Sequence, residues 1–269
     1  MTLGRHHSRL PILPVLLLLL VWPAGARAQS PIPQGIIEAR LNLSQVIDNL
    51  IEKNTERADA LQSYQSRRYY RLDYAGFPTS LHAEMVVDMI YDAPATKHFK
   101  IISQGGTQWM IDRILKRLLD AEQEALSVDN RERVALNSSN YDFSELERQA
   151  APDNCSYVVA VQPKIPNKLL YRGRIWVDSK DFAVCRIEAE PAKNPSFWIK
   201  KTAIHHSYLK VGDFWLPSEN ESVSAIRGGG RAVLTIRYQN YEILAARSLK
   251  EIDAATSSSS LTLAVHPNE

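Results

Sequence analysis

Residues 171–190 read YRGRIWVDSKDFAVCRIEAE. Two short runs rich in aliphatic and aromatic side chains flank the polar stretch Asp178-Ser179-Lys180-Asp181, the pattern of two antiparallel strands joined by a turn. Further strands are expected near 156–163, 204–211, 214–226, 231–238 and 241–245. They are punctuated by Pro166-Asn167, Asn194-Pro195, Gly212-Asp213 and Gly228-Gly229-Gly230. Connections this short favour antiparallel neighbours, so everything from Tyr157 to about residue 245 reads as a β-meander.

Upstream, the hydrophobic period changes twice. Leu43, Val46, Ile47, Leu50 and Ile51 fall on one stripe and predict a helix from about Ala39 to Ser63. A first strand is expected over 68–73, then a turn at Gly76-Phe77-Pro78. A second strand places Ala83, Met85, Val87, Met89 and Tyr91 on one face, and a third runs over 98–103. Over 109–125 the spacing returns to that of a helix. Ile111, Ile114, Leu115, Leu118 and Leu119 form its apolar stripe, with Asp112, Arg113, Lys116, Arg117 and Asp120 opposite. Residues 127–152 are polar and irregular. Strands do not alternate with helices, which excludes a parallel α/β sheet. The fold class is α+β: one strongly curved antiparallel sheet with helices over its concave face.

The first 28 residues hold Arg5, Arg9 and Arg27, no acid, an apolar run from Val15 to Val21 and the small-residue site Ala26-Arg27-Ala28. This is the layout of a secretory signal peptide cleaved after Ala28, with no cysteine there to carry a lipid anchor. A folded domain over 29–248 and a disordered tail over 249–269, with serines at 257–260, are expected to follow. Cleavage removes three of the 32 basic residues and none of the 30 acidic ones, leaving a nearly neutral chain. Such a chain lacks the broad positive footprint of a nucleic-acid binder. An exported chain allows Cys155 and Cys185 to pair, if the fold brings them close enough.

Few residues invite catalysis. His205 and His206 are adjacent on a strand and point to opposite faces, so they do not chelate one metal together. There is no strand–turn–helix serine motif, P-loop or H-E-x-x-H. Glu188 with Glu190, and Glu219 with Glu221, share strand faces, the usual arrangement on a wet sheet surface. No cofactor or metal is expected. Aromatic and aliphatic side chains on a bent sheet make either a filled core or an apolar cavity. By the same token, the 109–125 helix is either a packed layer or a lid.

One resemblance sharpens this. Tyr171–Asp178 with Phe182–Ile187 resembles the "W-V-D … v-x-r-I" hairpin of the outer-membrane lipoprotein-sorting proteins, the LolA/LolB-like superfamily. Tyr208–Pro217 (YLKVGDFWLP) resembles their "G-x-W-x-P" hairpin, and the similarity spans roughly residues 40–245. It implies an incomplete barrel closed on its open side by helices, holding acyl chains of lipids or lipoproteins. It implies a periplasmic, non-catalytic carrier or, as in the RseB-type relatives, a sensor that docks a segment of an envelope membrane protein. Under this resemblance the cavity candidates are Met85, Val87, Met89, Trp176 and Trp215, and the lid is Ile111, Ile114, Leu115 and Leu118. The family's early-strand arginine that holds the lid has three candidates: Arg67, Arg68 and Arg71.

Overall fold

The structure is a computed structural model that describes residues 41–247 apart from 152, 153 and 195. The expected signal peptide, Ala39, Pro195 of one expected turn and the serine-rich tail lie outside the described residues. Ten strands form a single antiparallel sheet: β1 (Leu61–Ala75), β2 (Leu81–Asp92), β3 (Thr96–Gly106), β4 (Tyr141–Arg148), β5 (Tyr157–Pro163), β6 (Tyr171–Val177), β7 (Val184–Pro191), β8 (Ile199–Val211), β9 (Phe214–Ile226) and β10 (Arg231–Ala246). Their spatial order is β3-β2-β1-β10-β9-β8-β7-β6-β5-β4. The first strand thus pairs with the last, and the two edges are β3 and β4. The sheet is an incomplete barrel whose gap falls between strands joined in sequence by the long 107–140 connection.

Helices lie on the concave side. Helix α1 (Leu43–Ala60) opens with a capping box, Asn42 Oδ1 accepting from the Gln45 amide and Gln45 Oε1 from the Asn42 amide, each at 2.9 Å. Val46, Ile47 and Leu50 bury its stripe against Tyr141, Tyr157, Val159, Ile175, Val177 and Ile187 of β4 to β7. In its last turn Arg57 donates to the carbonyls of Asp181 and Phe182, fastening the helix to the β6–β7 turn. The expected 109–125 helix comprises α2 (Gln108–Met110), a π-helical turn (Ile111–Leu115) and α3 (Lys116–Ala125). It packs on β1 and β2 at the other end of the sheet order. A short α4 (Val128–Val134) leads back toward β4.

Strand β8 begins at Ile199 rather than near residue 204, β3 extends over Thr96–Gly106, and three further differences from the sequence reading have clear causes. Strand β1 begins at Leu61, directly after α1, because Tyr64, Ser66, Arg68, Tyr70 and Leu72 alternate inward along the sheet. Strand β4 lies inside the polar 127–152 stretch. Its inner face carries Tyr141 and Phe143 while its outer positions are polar, and it is irregular near Glu145, which has φ of 56°. The two strands expected at 231–238 and 241–245 are one, running through Asn240 in a left-handed conformation. On the convex face Cys155 and Cys185 form a disulfide, their Cα atoms 6.2 Å apart, beside Val158 and Trp176, with Trp215 packed against them.

Candidate functional site

Cross-strand register defines the inner wall. Met85 faces Tyr70, Tyr70 faces Ile236, Ile236 faces Asn220, Asn220 faces His206 and His206 faces Ile187. The next rows toward one end are Leu72, Leu234, Ser222 and Ile204, then Tyr74, Ala232, Ser224 and Thr202. The π-turn helix lies over the β1–β2 side of this wall. Met110, Ile111, Leu115 and Leu119 sink into Ala83, Met85, Val87, Tyr70 and Leu72 and are buried with them.

The helix does not cover the wall completely. Between it and strands β8, β9 and β10 lies a cleft of about 690 Å³, within the range of small-molecule sites. Ile114 and Leu118 line it from the helix and Trp109 from the helix start. Leu72, Tyr74 and Leu81 come from β1 and β2, Ala232 and Leu234 from β10, Ile226 from β9, and Trp198 and Ile199 from the start of β8. The polar groups among the lining residues are mostly occupied. Thr202 Oγ1 and Ser224 Oγ are hydrogen-bonded to each other at 2.8 Å. The Tyr74 hydroxyl turns outward to the carbonyls of Phe77 and Gly229. What remains is an oily surface suited to an aliphatic chain. A wetter groove of about 1060 Å³ runs between α1 and α3–α4, with Lys97, Glu122 and Arg131 along it.

Each expected site residue has a definite place. Met85 and Val87 are on the concave face as expected, packed beneath the helix. Met89 is also inside, in a neighbouring cluster with Tyr64, Phe214 and Leu216. Trp176 and Trp215 are on the opposite face: the Arg186 guanidinium lies 3.9 Å over the Trp176 ring, and Trp215 Nε1 donates to Asp181 at 2.9 Å. The reason is parity, since Ile175, Val177, Phe214 and Leu216 take the inward positions on those strands. None of the five lines the cleft. Of the helix residues, Ile111 and Leu115 anchor it while Ile114 and Leu118 face the cleft. Trp109 and Trp198 were not among the expected cavity residues, although the Phe197-Trp198 pair in a polar connection is a signal that it serves a surface.

The three arginines separate cleanly. Arg67 pairs outward with Asp88, and Arg71 with Asp73 and Glu84. Arg68, only 2% exposed, points inward and donates through Nη1 to Glu122 Oε2 of α3 at 2.6 Å. Lys97 of β3 meets the other oxygen of the same carboxylate. The Arg68 guanidinium also lies over the rings of Tyr238 and Phe99, at 5.0 and 5.6 Å. Burial alone would raise the Glu122 pKa, but Arg68 and Lys97 together hold it below the ordinary carboxylate range. Burial, and secondarily Arg68, lowers the Lys97 pKa, against the pull of Glu122. One carboxylate thus joins the helix to β1 and β3.

The paired acids stand outside. Glu188, Glu190 and Glu219 lie near or against Arg186, Arg172 and Arg237 on the convex face. His205 is exposed, whereas His206 faces inward, where burial, aided by His205, pushes its imidazole down to about 4. Among the described residues no group of His, Cys, Asp and Glu is placed to hold a metal, and no helix is long and apolar enough to cross a membrane.

No protein-family model matches the chain, and no curated protein matches it. Solved structures give low-identity likenesses. A LolA superfamily protein of Nitrosomonas europaea is 13% identical over 73% of this chain and 93% of its own, with a TM-score of 0.34. A Vibrio parahaemolyticus domain provisionally assigned as an outer membrane lipoprotein-sorting protein is 11% identical over 80% and 99%, with a TM-score of 0.39. A DUF1329 family protein of Desulfovibrio piger is 14% identical over 76% and 94%, with a TM-score of 0.37. The incomplete-barrel architecture rests on this chain's own strand pairing.

Proposed function

We propose that this chain is a non-catalytic binding or carrier protein of the periplasm. Its ligand is the hydrocarbon chain of a lipid or lipoprotein, held in the cleft between the π-turn helix and strands β8 to β10. The observation that carries this reading is the lining: aliphatic and aromatic side chains on both walls, with Thr202 and Ser224 bonded to each other rather than presented to a guest. Burial of a chain in such a site is favourable by about 0.8 kcal/mol per CH₂ group, a driving force that needs no charge or metal. Ala232→Trp fills the cleft from its sheet wall without touching the Arg68–Glu122 contact. Under this reading the purified protein binds a fluorescent fatty acid and yields bound lipid on extraction, and the Ala232→Trp protein does neither. A protein that is always empty and ignores the fatty acid would remove the proposal.

The β3 edge favours a second reading. Beyond the Lys97 amide, which donates to Gln123 Oε1, its outer side has no strand partner among the described residues and most of its residues are exposed, which suits strand addition by an extended segment of an envelope membrane protein. Co-purification of one such partner without lipid would favour this reading.

A further inference from the structure

The register places several connections at one end of the barrel: β1–β2 (76–80), the entry to α2 (107–109), β5–β6 (164–170), β7–β8 (192–198) and β9–β10 (227–230). Four of these five carry the most exposed large apolar side chains among the described residues: Phe77, Trp109, Ile165, Leu169, Phe197 and Trp198, exposed from 54% for Trp109 to 87% for Phe77. The five connections contain Lys164, Lys168, Lys193 and Arg227 and not one acid, and the 135–140 link at the same end is uncharged. Acids flank the rim but are engaged: Asp112 with Gln108 and Lys116, Asp142 3.9 Å from Lys164, and Glu190 with Arg172. The hairpins at the other end carry Asp178, Asp181 and Asp213 against Lys180, with Asp178 buried and Asp181 paired to Lys210. Scattered exposed apolar residues are ordinary, but a set confined to one rim and interleaved with cations marks an interaction surface. Trp109 and Trp198 of this rim also line the cleft, so the cleft opens there.

We propose that this rim docks end-on onto the surface of an anionic lipid bilayer. Phe77, Trp109, Ile165, Leu169, Phe197 and Trp198 enter the headgroup region, where aromatic side chains are favoured. Lys168, Lys193 and Arg227 meet lipid phosphates, and the opposite end, without such an apolar and cationic set, points away. Arg227 stacks on Phe197 at 4.9 Å and Phe197 lies edge-on to Trp198, so cation and anchors form one unit. The surface stands whatever fills the cleft, and its test is separate.

The purified protein is mixed with vesicles of phosphatidylglycerol and phosphatidylcholine in equal parts, and with vesicles of phosphatidylcholine alone. It is expected to sediment with the anionic vesicles, less so as salt rises, with a blue shift of tryptophan emission as Trp109 and Trp198 leave water. Phe77→Ser/Ile165→Ser/Leu169→Ser/Phe197→Ser, which replaces no cleft-lining residue, abolishes sedimentation but keeps fatty-acid binding. Lys168→Gln/Lys193→Gln weakens partitioning about 25-fold, at roughly fivefold per cation. The proposal is overturned if the unaltered protein ignores anionic vesicles, or if either variant binds them equally well. It is also overturned if the rim instead drives a dimer, dispersed by the serine substitutions, in lipid-free sedimentation.

Discussion

Replacing Glu122 by Gln severs the one carboxylate shared by helix α3, β1 and β3 while preserving the side chain's shape. Arg68 has no route to water: it is 2% exposed, its Nε has no hydrogen-bond partner, and the Tyr70 hydroxyl is a long 3.5 Å from Nη1. Stripping one partner from a buried ion pair costs about 3–5 kcal/mol because the other charge is left uncompensated. Two features place Glu122→Gln near the low end, about 3 kcal/mol. The Glu122 side chain is 30% exposed, and the rings of Phe99 and Tyr238 continue to solvate the guanidinium. For a domain of this size that is a melting temperature lower by about 6–12 °C. Arg68→Met/Glu122→Gln removes the more deeply buried of the two cations that share this carboxylate, leaving Lys97 without its partner, and should recover part of the loss, since apolar replacement of a buried pair is often neutral. Urea denaturation of the two variants measures the stability difference, and hydrogen exchange over residues 108–125 locates it. A Glu122→Gln loss below about 1 kcal/mol, or a double variant as unstable as the sum of its parts, would refute the stranded-charge reasoning.

Other outcomes follow from the same structure. Because the Glu122 pKa is depressed in the folded state, its contribution is complete above the ordinary carboxylate range and lost only as pH falls through the folded value. The acid limb of a stability–pH curve should therefore flatten in Glu122→Gln. His206 is pushed down to about 4 from 6.5. Between those values the unfolded chain holds a proton that the folded one does not, so stability falls with falling pH across that window by a slope approaching one proton. His206→Gln removes that slope in urea titrations at pH 5 to 7, and an unchanged slope would assign it elsewhere. Cys155→Ala/Cys185→Ala opens a cross-link of sequence separation 30 and should cost about 2–4 kcal/mol in denaturant; equal stability with and without reductant would contradict this. Gly173 has φ of +152°, and a Cβ there would collide with the Glu188 carbonyl oxygen. Gly173→Ala should therefore loosen the β6–β7 pairing by about 1–3 kcal/mol, read by thermal melting.

Much of the architecture could be read from spacing alone. Alternation over 83–91 and the helical stripe at Ile111, Ile114, Leu115, Leu118 and Leu119 are local signals, because one face of each element is wet and the other is not. The β4 strand was hidden because an edge strand buries only a few side chains, here Tyr141 and Phe143, among polar neighbours. Faces were harder than elements. Trp176 and Trp215 are apolar on both of the sheet's sides of the ledger, and only pairing fixes that Ile175 and Phe214 point inward instead. The arginine at the helix could not be chosen from three neighbours by composition; the inward parity of Tyr64, Ser66, Tyr70 and Leu72 selects Arg68. The cleft itself is long-range. It joins Trp198 and Ile226 to Ile114 and Leu118, residues that no window of sequence brings together.

The most direct test is photo-crosslinking with a fatty acid bearing a diazirine near its methyl end, followed by peptide mapping of the labelled protein. The account predicts label on the cleft walls, at Trp109, Ile114, Leu118, Trp198, Ile226 or Leu234, and its disappearance in Ala232→Trp. Label confined to the convex face around Trp176 and Trp215, or unchanged by Ala232→Trp, would contradict it.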